Sequence, residues 1–364
     1  MRIAHICQSA DPSIGGSLTV ARALVKAQRE EGVDARLVFL YASRDAAVQA
    51  ADTQEIFCQV DRQSRWFRGI RILRRELEKI SPDIIHHHDG IFWPRLATVG
   101  LGPPLFTHAH LERPEVSAFS AAYWTHRYIA SHTDCLLAIS DWVRESWVRG
   151  GFPREQTRLI SNGVDCAQFY PRPEETRRAL RARFGLPSDQ KLLLWAGRLD
   201  GGSKGLNRLV ATARVLPAGV RLIIAGDGPS RTQLVADLKA LHLDSPPILL
   251  GMLHDPAELF GTADAFLFTS IVEAFGLVLL EAAASGLPIF AFECVGGAKD
   301  LLHQLGATVL DEGSIADSLS TLTAASPSVK RGLLERVRQK YSWTTVSRAT
   351  LVAYGEVGAG LKAK

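Results

Sequence analysis

Short apolar runs alternate along the chain with segments of helical period. Ile3–Cys7, Leu37–Tyr41, Leu105–Thr107, Lys191–Ala196, Val220–Ala225, Ala265–Thr269 and Ile289–Phe292 read as buried strands. Between them, Leu18–Glu31 sets Val20, Leu24 and Ala27 on one helical face and ends at Gly32, a C-cap residue. A second helix, Asp141–Arg149, follows good N-cap types at Ser140 and Asp141. A third, Leu277–Ala284, opens after Gly276 and stops at Gly286-Leu287-Pro288. Strand, loop, helix, strand is the unit of a parallel sheet. Its ligand end is the crevice beyond the strands' carboxyl ends.

The pattern runs over 364 residues, which suits two domains of ordinary size. A hydrophobic share of 46% with 22% charge is that of a globular protein, and a net charge of +4 makes any strong basic effect local. No apolar stretch reaches the roughly 20 residues that span a bilayer, and the start, MRIAHICQ, carries no long apolar leader. Cys7, Cys58, Cys135, Cys166 and Cys294 are scattered without metal-ligand spacing, which suits a reducing, cytoplasmic setting.

One local basic effect exists. Between Arg62 and Lys79 the chain carries Arg62, Arg65, Arg68, Arg71, Arg74, Arg75 and Lys79, while Trp66, Ile70, Leu73 and Leu77 form a stripe at helical spacing. The stripe packs on a sheet, and the basic face is either simply solvated or meets anionic lipid headgroups, with Trp66 and Phe67 at the interface. No recognition motif accompanies the charge, so nucleic acid is not expected.

Two corners carry candidate chemistry. At the first, Glu273 precedes the helix opened by Gly276, and Glu281 lies within that helix. The N–H groups of Phe275, Gly276 and Leu277 suit a phosphate, and a carboxylate suits the hydroxyls of a sugar or ribose. At the second, Arg198 and Lys204 flank the glycine-rich loop Gly197–Gly205 ahead of a helix start, where two cations could neutralise a pyrophosphate. Gly15-Gly16 ahead of the first helix lets backbone approach a ligand closely. Five histidines, His86, His87, His88, His108 and His110, end two strands and raise a metal hypothesis. No eight-fold strand–helix pattern and no matched carboxylate accompany them, so no metal is assigned.

Glu273 and Glu281, seven residues between them, with Phe275-Gly276 inside and Gly286-Leu287-Pro288 after, closely resemble the signature of the retaining glycosyltransferases of family 4 (GT-B fold, glycosyl transferases group 1). Ala274 stands where that family usually has glycine. Gly197-Arg198-Leu199 with Lys204-Gly205 is similar to a second family motif, one residue longer than is most usual. Gly226-Asp227-Gly228-Pro229, Asn162-Gly163-Val164-Asp165, Pro82–His86, His108–Leu111 and the terminal Tyr341-Ser342-Trp343 follow in the family's order, so the resemblance covers almost the whole chain.

The resemblance implies an α/β GT-B architecture, with two doubly wound Rossmann-like domains facing a central cleft. Residues 1–168 would form the acceptor side and 169–340 the nucleotide-sugar side, with 341–364 crossing back to the first domain. It implies sugar transfer from a UDP- or GDP-linked donor to an acceptor hydroxyl, with retention and without a metal or other cofactor; the sequence contains no Asp-x-Asp. His108 would position the reacting sugar, Arg198 and Lys204 would stabilise the pyrophosphate, Glu273 would hold sugar hydroxyls and Glu281 the ribose. Gly15, Gly16, Met252, Leu253, Phe275, Gly276 and Leu277 would complete the donor site. The basic segment, through Arg65, Trp66, Arg68, Arg71 and Arg75, tilts the acceptor toward a lipid-linked saccharide in cell-envelope or exopolysaccharide assembly, handled at the inner face of the membrane. A soluble acceptor, a sugar-nucleotide epimerase of the same architecture and a non-catalytic sugar-nucleotide binder remain as alternatives. The tail from Gly358 to Lys364 is expected to be loose.

Overall fold

A computed structural model describes residues 1–10, 16–41, 55–58, 60, 65–88, 92–113, 119–253, 255–311, 313–322 and 325–362. The chain divides into two compact units, Met1–Gly163 with Trp343–Lys364, and Val164–Ser342. The boundaries fall at 163/164 and 342/343 rather than 168/169 and 340/341. Val164 donates its N–H to Tyr341 O at 2.8 Å and bridges Ser342, which ties both chain crossings into the second unit. The proline-rich stretch from Tyr170 therefore lies inside that unit, where Glu174 opens a helix.

In the first unit, β1 (Arg2–Ser9), α1 (Gly16–Glu30), β2 (Asp34–Tyr41), β3 (Glu55–Phe57), α2 (Ile70–Ile80), β4 (Ile84–His87), α3 (Trp93–Leu96), β5 (Leu105–Ala109), α4 (Ala121–Ser131), β6 (Cys135–Ala138), α5 (Asp141–Arg149) and β7 (Thr157–Leu159) follow in order. The strands are parallel in the order β3-β2-β1-β4-β5-β6-β7. Alternate residues of β1 feed opposite cores, as the two-residue period of a strand requires. Ile3 and Cys7 pack with Leu24 and Val25 of α1, whereas Ala4 and Ile6 pack with Leu73 and Leu77 of α2. The C-terminal helix α14 (Trp343–Lys362) joins the α1 face through Val346, Ala353 and Tyr354. It runs helical past Gly358, so the loose tail expected from that residue onward is not observed up to residue 362; Val357 packs against the core just before it.

In the second unit, α6 (Glu174–Arg183), β8 (Lys191–Ala196), α7 (Leu206–Arg214), β9 (Val220–Ala225), α8 (Arg231–Ala240), β10 (Ile248–Gly251), α9 (Ala257–Phe260), β11 (Ala265–Phe268), α10 (Leu277–Ala284), β12 (Ile289–Phe292), α11 (Ala298–Leu305), β13 (Thr308–Leu310), α12 (Ile315–Ser320) and α13 (Pro327–Tyr341) surround a parallel sheet of order β10-β9-β8-β11-β12-β13. Both sheets are doubly wound. The order reverses between β1 and β4 in the first unit and between β8 and β11 in the second, and ligands of such sheets bind at the carboxyl ends beside the reversal. Asp264 anchors the second sheet from below, taking bonds from Arg177, Arg181 and the Leu192 N–H, each at 2.8 Å.

Candidate functional site

The reversal in the second unit brings together the two loops singled out in the sequence. Residues 197–205 leave β8 and residues 269–276 leave β11, its neighbour. The loops are pinned to one another. Trp195 Nε1 donates to Thr269 Oγ1 at 2.9 Å, Thr269 Oγ1 donates to Lys204 O at 2.7 Å, and Ile271 N donates to Ser203 O at 2.8 Å. Gly205 is left-handed (φ 62°), and a Cβ there would come within 2.1 Å of Thr269 O, so glycine is the residue that lets the loops touch. Arg208 of α7, which sequence reasoning missed, donates to Ser270 O and Glu293 O at 3.3 and 3.0 Å and lies over the Phe292 ring. Its position in the first turn after Gly205, one residue type among many on a helix, gave no signal.

This bracing delivers Lys204 Nζ to Glu273 Oε2 at 2.5 Å, with both side chains part-exposed. The Glu273 peptide is fixed on both sides: its N–H donates to Val295 O at 2.9 Å and its O accepts from Ala298 N at 3.2 Å. Gly296 makes that fit, since a Cβ there would lie 2.2 Å from Glu273 O. Gly276 sits at the N-cap of α10 and no side chain caps the helix, which leaves its first N–H groups facing the loop. Leu277 is part-exposed, whereas Phe275 is buried against Tyr341. Glu281, one turn further, is recessed and faces no cation among the described residues; burial pushes its carboxyl up to about 7. Arg198 is exposed at the start of the β8 loop. Met252, 65% exposed, and Leu253 follow β10, which is separated from β8 by β9.

In the first unit the reversal gathers histidines. His5 on β1, His86 on β4, His88 just beyond it, His108 on β5 and His110 just beyond form one cluster. His5 was not singled out in the sequence, because it lies some 80 residues from its partners and only the sheet order joins them. Burial holds His5 and His110 down to about 4, and His86, His87, His88 and His108 well below the usual imidazole range. The cluster is therefore neutral at pH 7. His108 is 1% exposed and neither of its ring nitrogens has a partner among the described residues, while His110, stacked on it with centroids 4.4 Å apart, is part-exposed. Gly16 opens α1 at the carboxyl end of β1; Gly15 lies outside the described residues.

The basic segment enters as a short π-helical stretch, Arg65–Gly69, and becomes α-helical only from Ile70. Leu73, Leu77 and Ile80 of α2 are buried. Arg74 is bonded to Glu78 and Val99 O, and Lys79 to Glu76. Arg68, Arg71 and Arg75 are exposed, as is Phe67 at 87%. Arg62 lies outside the described residues.

Comparison with known proteins follows the same two halves. The family model "Glycosyltransferase Family 4" matches residues 14–168 and the model "Glycosyl transferases group 1" matches residues 176–324. The D-inositol 3-phosphate glycosyltransferase of Xylanimonas cellulosilytica is 30% identical over 244 residues, 63% of this chain and 58% of that protein. The alpha-maltose-1-phosphate synthase of Mycolicibacterium smegmatis is 22% identical over 99% of this chain and its own whole length. Among solved structures, Anabaena Alr3699/HepE in complex with UDP matches with a TM-score of 0.79 at 18% identity, over 98% of this chain and all of that one.

Proposed function

Because the chain belongs to the family 4, group 1 glycosyltransferases, we propose that it moves a sugar from a nucleotide-sugar to an acceptor hydroxyl with retention of configuration, its donor site needing no metal. The observation that carries this reading is the Lys204–Glu273 pair beside the uncapped start of α10 and the uncompensated Glu281 carboxyl. These groups have the chemistry a nucleotide-sugar requires. Lys204, Arg198 and the helix N–H groups would take the diphosphate charge as the bond from C1 to the leaving phosphate oxygen breaks. Glu273 would accept from sugar hydroxyls and Glu281 from the ribose. The acceptor hydroxyl would attack C1 and pass its proton to the departing phosphate oxygen. Lys204 pairs with Glu273; a diphosphate would compete for it, freeing Glu273 for the sugar. His108 would act on the sugar through His110, which it stacks on, since its own nitrogens are buried.

For the acceptor, exposed Arg68, Arg71 and Arg75 beside exposed Phe67 support a lipid-linked saccharide handled at an anionic membrane surface. A soluble acceptor is the second reading, since the two relatives named above carry small phosphorylated polyols or sugars in their names. Calorimetry of UDP, GDP and ADP without metal tests the donor site. One nucleotide should bind, and Glu281→Ala should weaken it by about tenfold or more. Silence from all three would sink the transferase reading. Co-sedimentation with phosphatidylglycerol vesicles, lost on Arg71→Glu/Arg75→Glu, would support the membrane acceptor; indifference to both lipid charge and mutation would favour the soluble one.

A further inference from the structure

The histidine cluster has an internal order that sugar transfer as described above does not use. It forms two layers. In the first, His5, His88 and His110 meet edge to edge: His5 Nδ1 is 2.9 Å from His88 Nε2, and His88 Nδ1 is 3.3 Å from His110 Nε2. The rings of these pairs are inclined by 29° and 14°. In the second layer, His86 lies face-on over His88 (4.4 Å, 5°) and His108 over His110 (4.4 Å, 23°). The second layer clamps the first in plane. The row ends inward at Gln28 of α1, whose Oε1 is 2.7 Å from His5 Nε2, and outward at His110, the part-exposed member.

Elementary valence gives this row a direction. An amide oxygen can only accept, so His5 donates from Nε2. A neutral imidazole has one ring proton, so His5 Nδ1 accepts, and His88 must donate from Nε2. The same step repeats outward: His88 Nδ1 accepts, and His110 donates from Nε2. The structure sets Oε1 toward His5 Nε2 at 2.7 Å and leaves the amide Nε2 buried without a partner among the described residues. Neutral rings are required for the chain to propagate, and burial of the cluster supplies that condition.

We propose that Gln28, His5 and His88 form a tautomer lock that leaves His110 Nδ1 as a bare acceptor at the carboxyl end of β5, there to bind a hydroxyl of a saccharide or polyol. Gln28, His5 and His88 are positioning residues: none touches the ligand, and each acts through the next ring. The identity of that hydroxyl as the acceptor's rests on the transferase reading; the lock itself does not. An acceptor-only nitrogen orients an incoming hydroxyl by one sense of hydrogen bond, and a ring free to exchange tautomers would present a donor for part of the time.

Long-range proton–nitrogen correlation spectra of the full chain, labelled with nitrogen-15 histidine at pH 7, read the tautomers directly, with His110 assigned by loss of its signals in His110→Asn. The expected result is a proton on Nε2 of His5, His88 and His110 in the wild type, and appearance of the Nδ1–H form at His110 in Gln28→Met. A wild-type His110 protonated on Nδ1 would mean that the row runs the other way and would overturn the proposal without any variant. So would stoichiometric zinc in the purified protein, since His88, His108 and His110 offer ligand atoms within 4.8 Å of one another and a metal would replace the shared protons. Turnover is a separate readout: Gln28→Met should lower kcat by about tenfold, the worth of one hydrogen bond, while nucleotide affinity measured by calorimetry stays unchanged. Absence of any transfer would count against the proposed function and leave the spectra to decide the lock.

Discussion

Acidification from pH 7 to pH 5 should unfold the first unit before the second. His5, His86, His87, His88 and His108 are all at most 2% exposed. Each is held neutral by burial, with His87 also repelled by Arg95 and His5 by Arg29. In the unfolded chain each titrates near 6.5. The unfolded state thus binds more protons below that value, so the stability of the unit is full above about pH 6.5 and is lost as the pH falls toward the folded values. For His5, held down to about 4, the loss between pH 7 and pH 5 is about 2 kcal/mol by linkage. The other four are lowered in the same direction and add to that loss, against the roughly 5–15 kcal/mol that holds a typical domain together. Tryptophan fluorescence during urea unfolding is a suitable assay, because Trp195 is in the second unit and the other six tryptophans lie in segments of the first. The urea midpoint of the fluorescence transition should fall steeply from pH 7 to pH 5. His87→Leu should lessen the fall, and it should not cost stability at pH 7, as His87 Nε2 is buried without a partner among the described residues. A first-unit stability that changes by less than about 2 kcal/mol over this range would refute the account of a buried, neutral cluster.

The second unit yields three further expectations. Nucleotide affinity should rise by about tenfold from pH 6 to pH 8 as Glu281 ionises through about 7, and Glu281→Gln should flatten that dependence; calorimetry across pH decides it. Asp264→Asn leaves buried Arg181 without its counter-ion and buried Arg177 with Glu174 alone, which should cost the unit about 3–5 kcal/mol in a chemical melt. Gly205→Ala forces a Cβ to within 2.1 Å of Thr269 O from a left-handed backbone, so the two loops must part; a loss of about 2 kcal/mol or more with weakened nucleotide binding is expected, measured by thermal melt and calorimetry.

Much of the scaffold was legible because parallel strands buried on both faces leave continuous apolar runs, and β1, β2, β8, β9, β11 and β12 all coincide with such runs. The corner at Glu273 was legible for a related reason: a strand, a loop with one acid and a glycine-opened helix lie within a dozen residues, so its geometry is local. What failed to show was non-local. His5 reads as one polar position in an apolar strand, and Gln28 as an unremarkable residue on a helix; their pairing depends on β1 lying beside β4 and on α1 crossing above them. Arg208 is of the same kind, since the carbonyls it holds come from two other loops. The tail was read as loose because chain ends usually are. Each glycine costs a helix about 1 kcal/mol, but Val346, Ala353 and Tyr354 of α14 are already buried against the sheet, and packing carries the helix through Gly358.

The two reversals use the same topology with opposite electrostatics, and the difference follows from what surrounds each. At the β8–β11 reversal the loops are long, part-exposed and rich in glycine, so the Lys204–Glu273 pair is reached by solvent and would exchange partners with an anionic ligand at little desolvation cost. At the β1–β4 reversal the side chains lie within the sheet itself, on strands whose neighbours are Ile3, Cys7 and Phe106. A charge there would be expensive, and among the described residues the row of His5, His88 and His110 consists of neutral rings that share hydrogen bonds. A neutral acceptor nitrogen suits an uncharged hydroxyl for the same reason that an ammonium suits a diphosphate: each site offers the partner that its burial allows it to keep. Exposing the histidines to acid tests this reasoning at its root, because one proton in the row removes a lone pair that the next ring needs and places a charge where, among the described residues, no counter-ion stands.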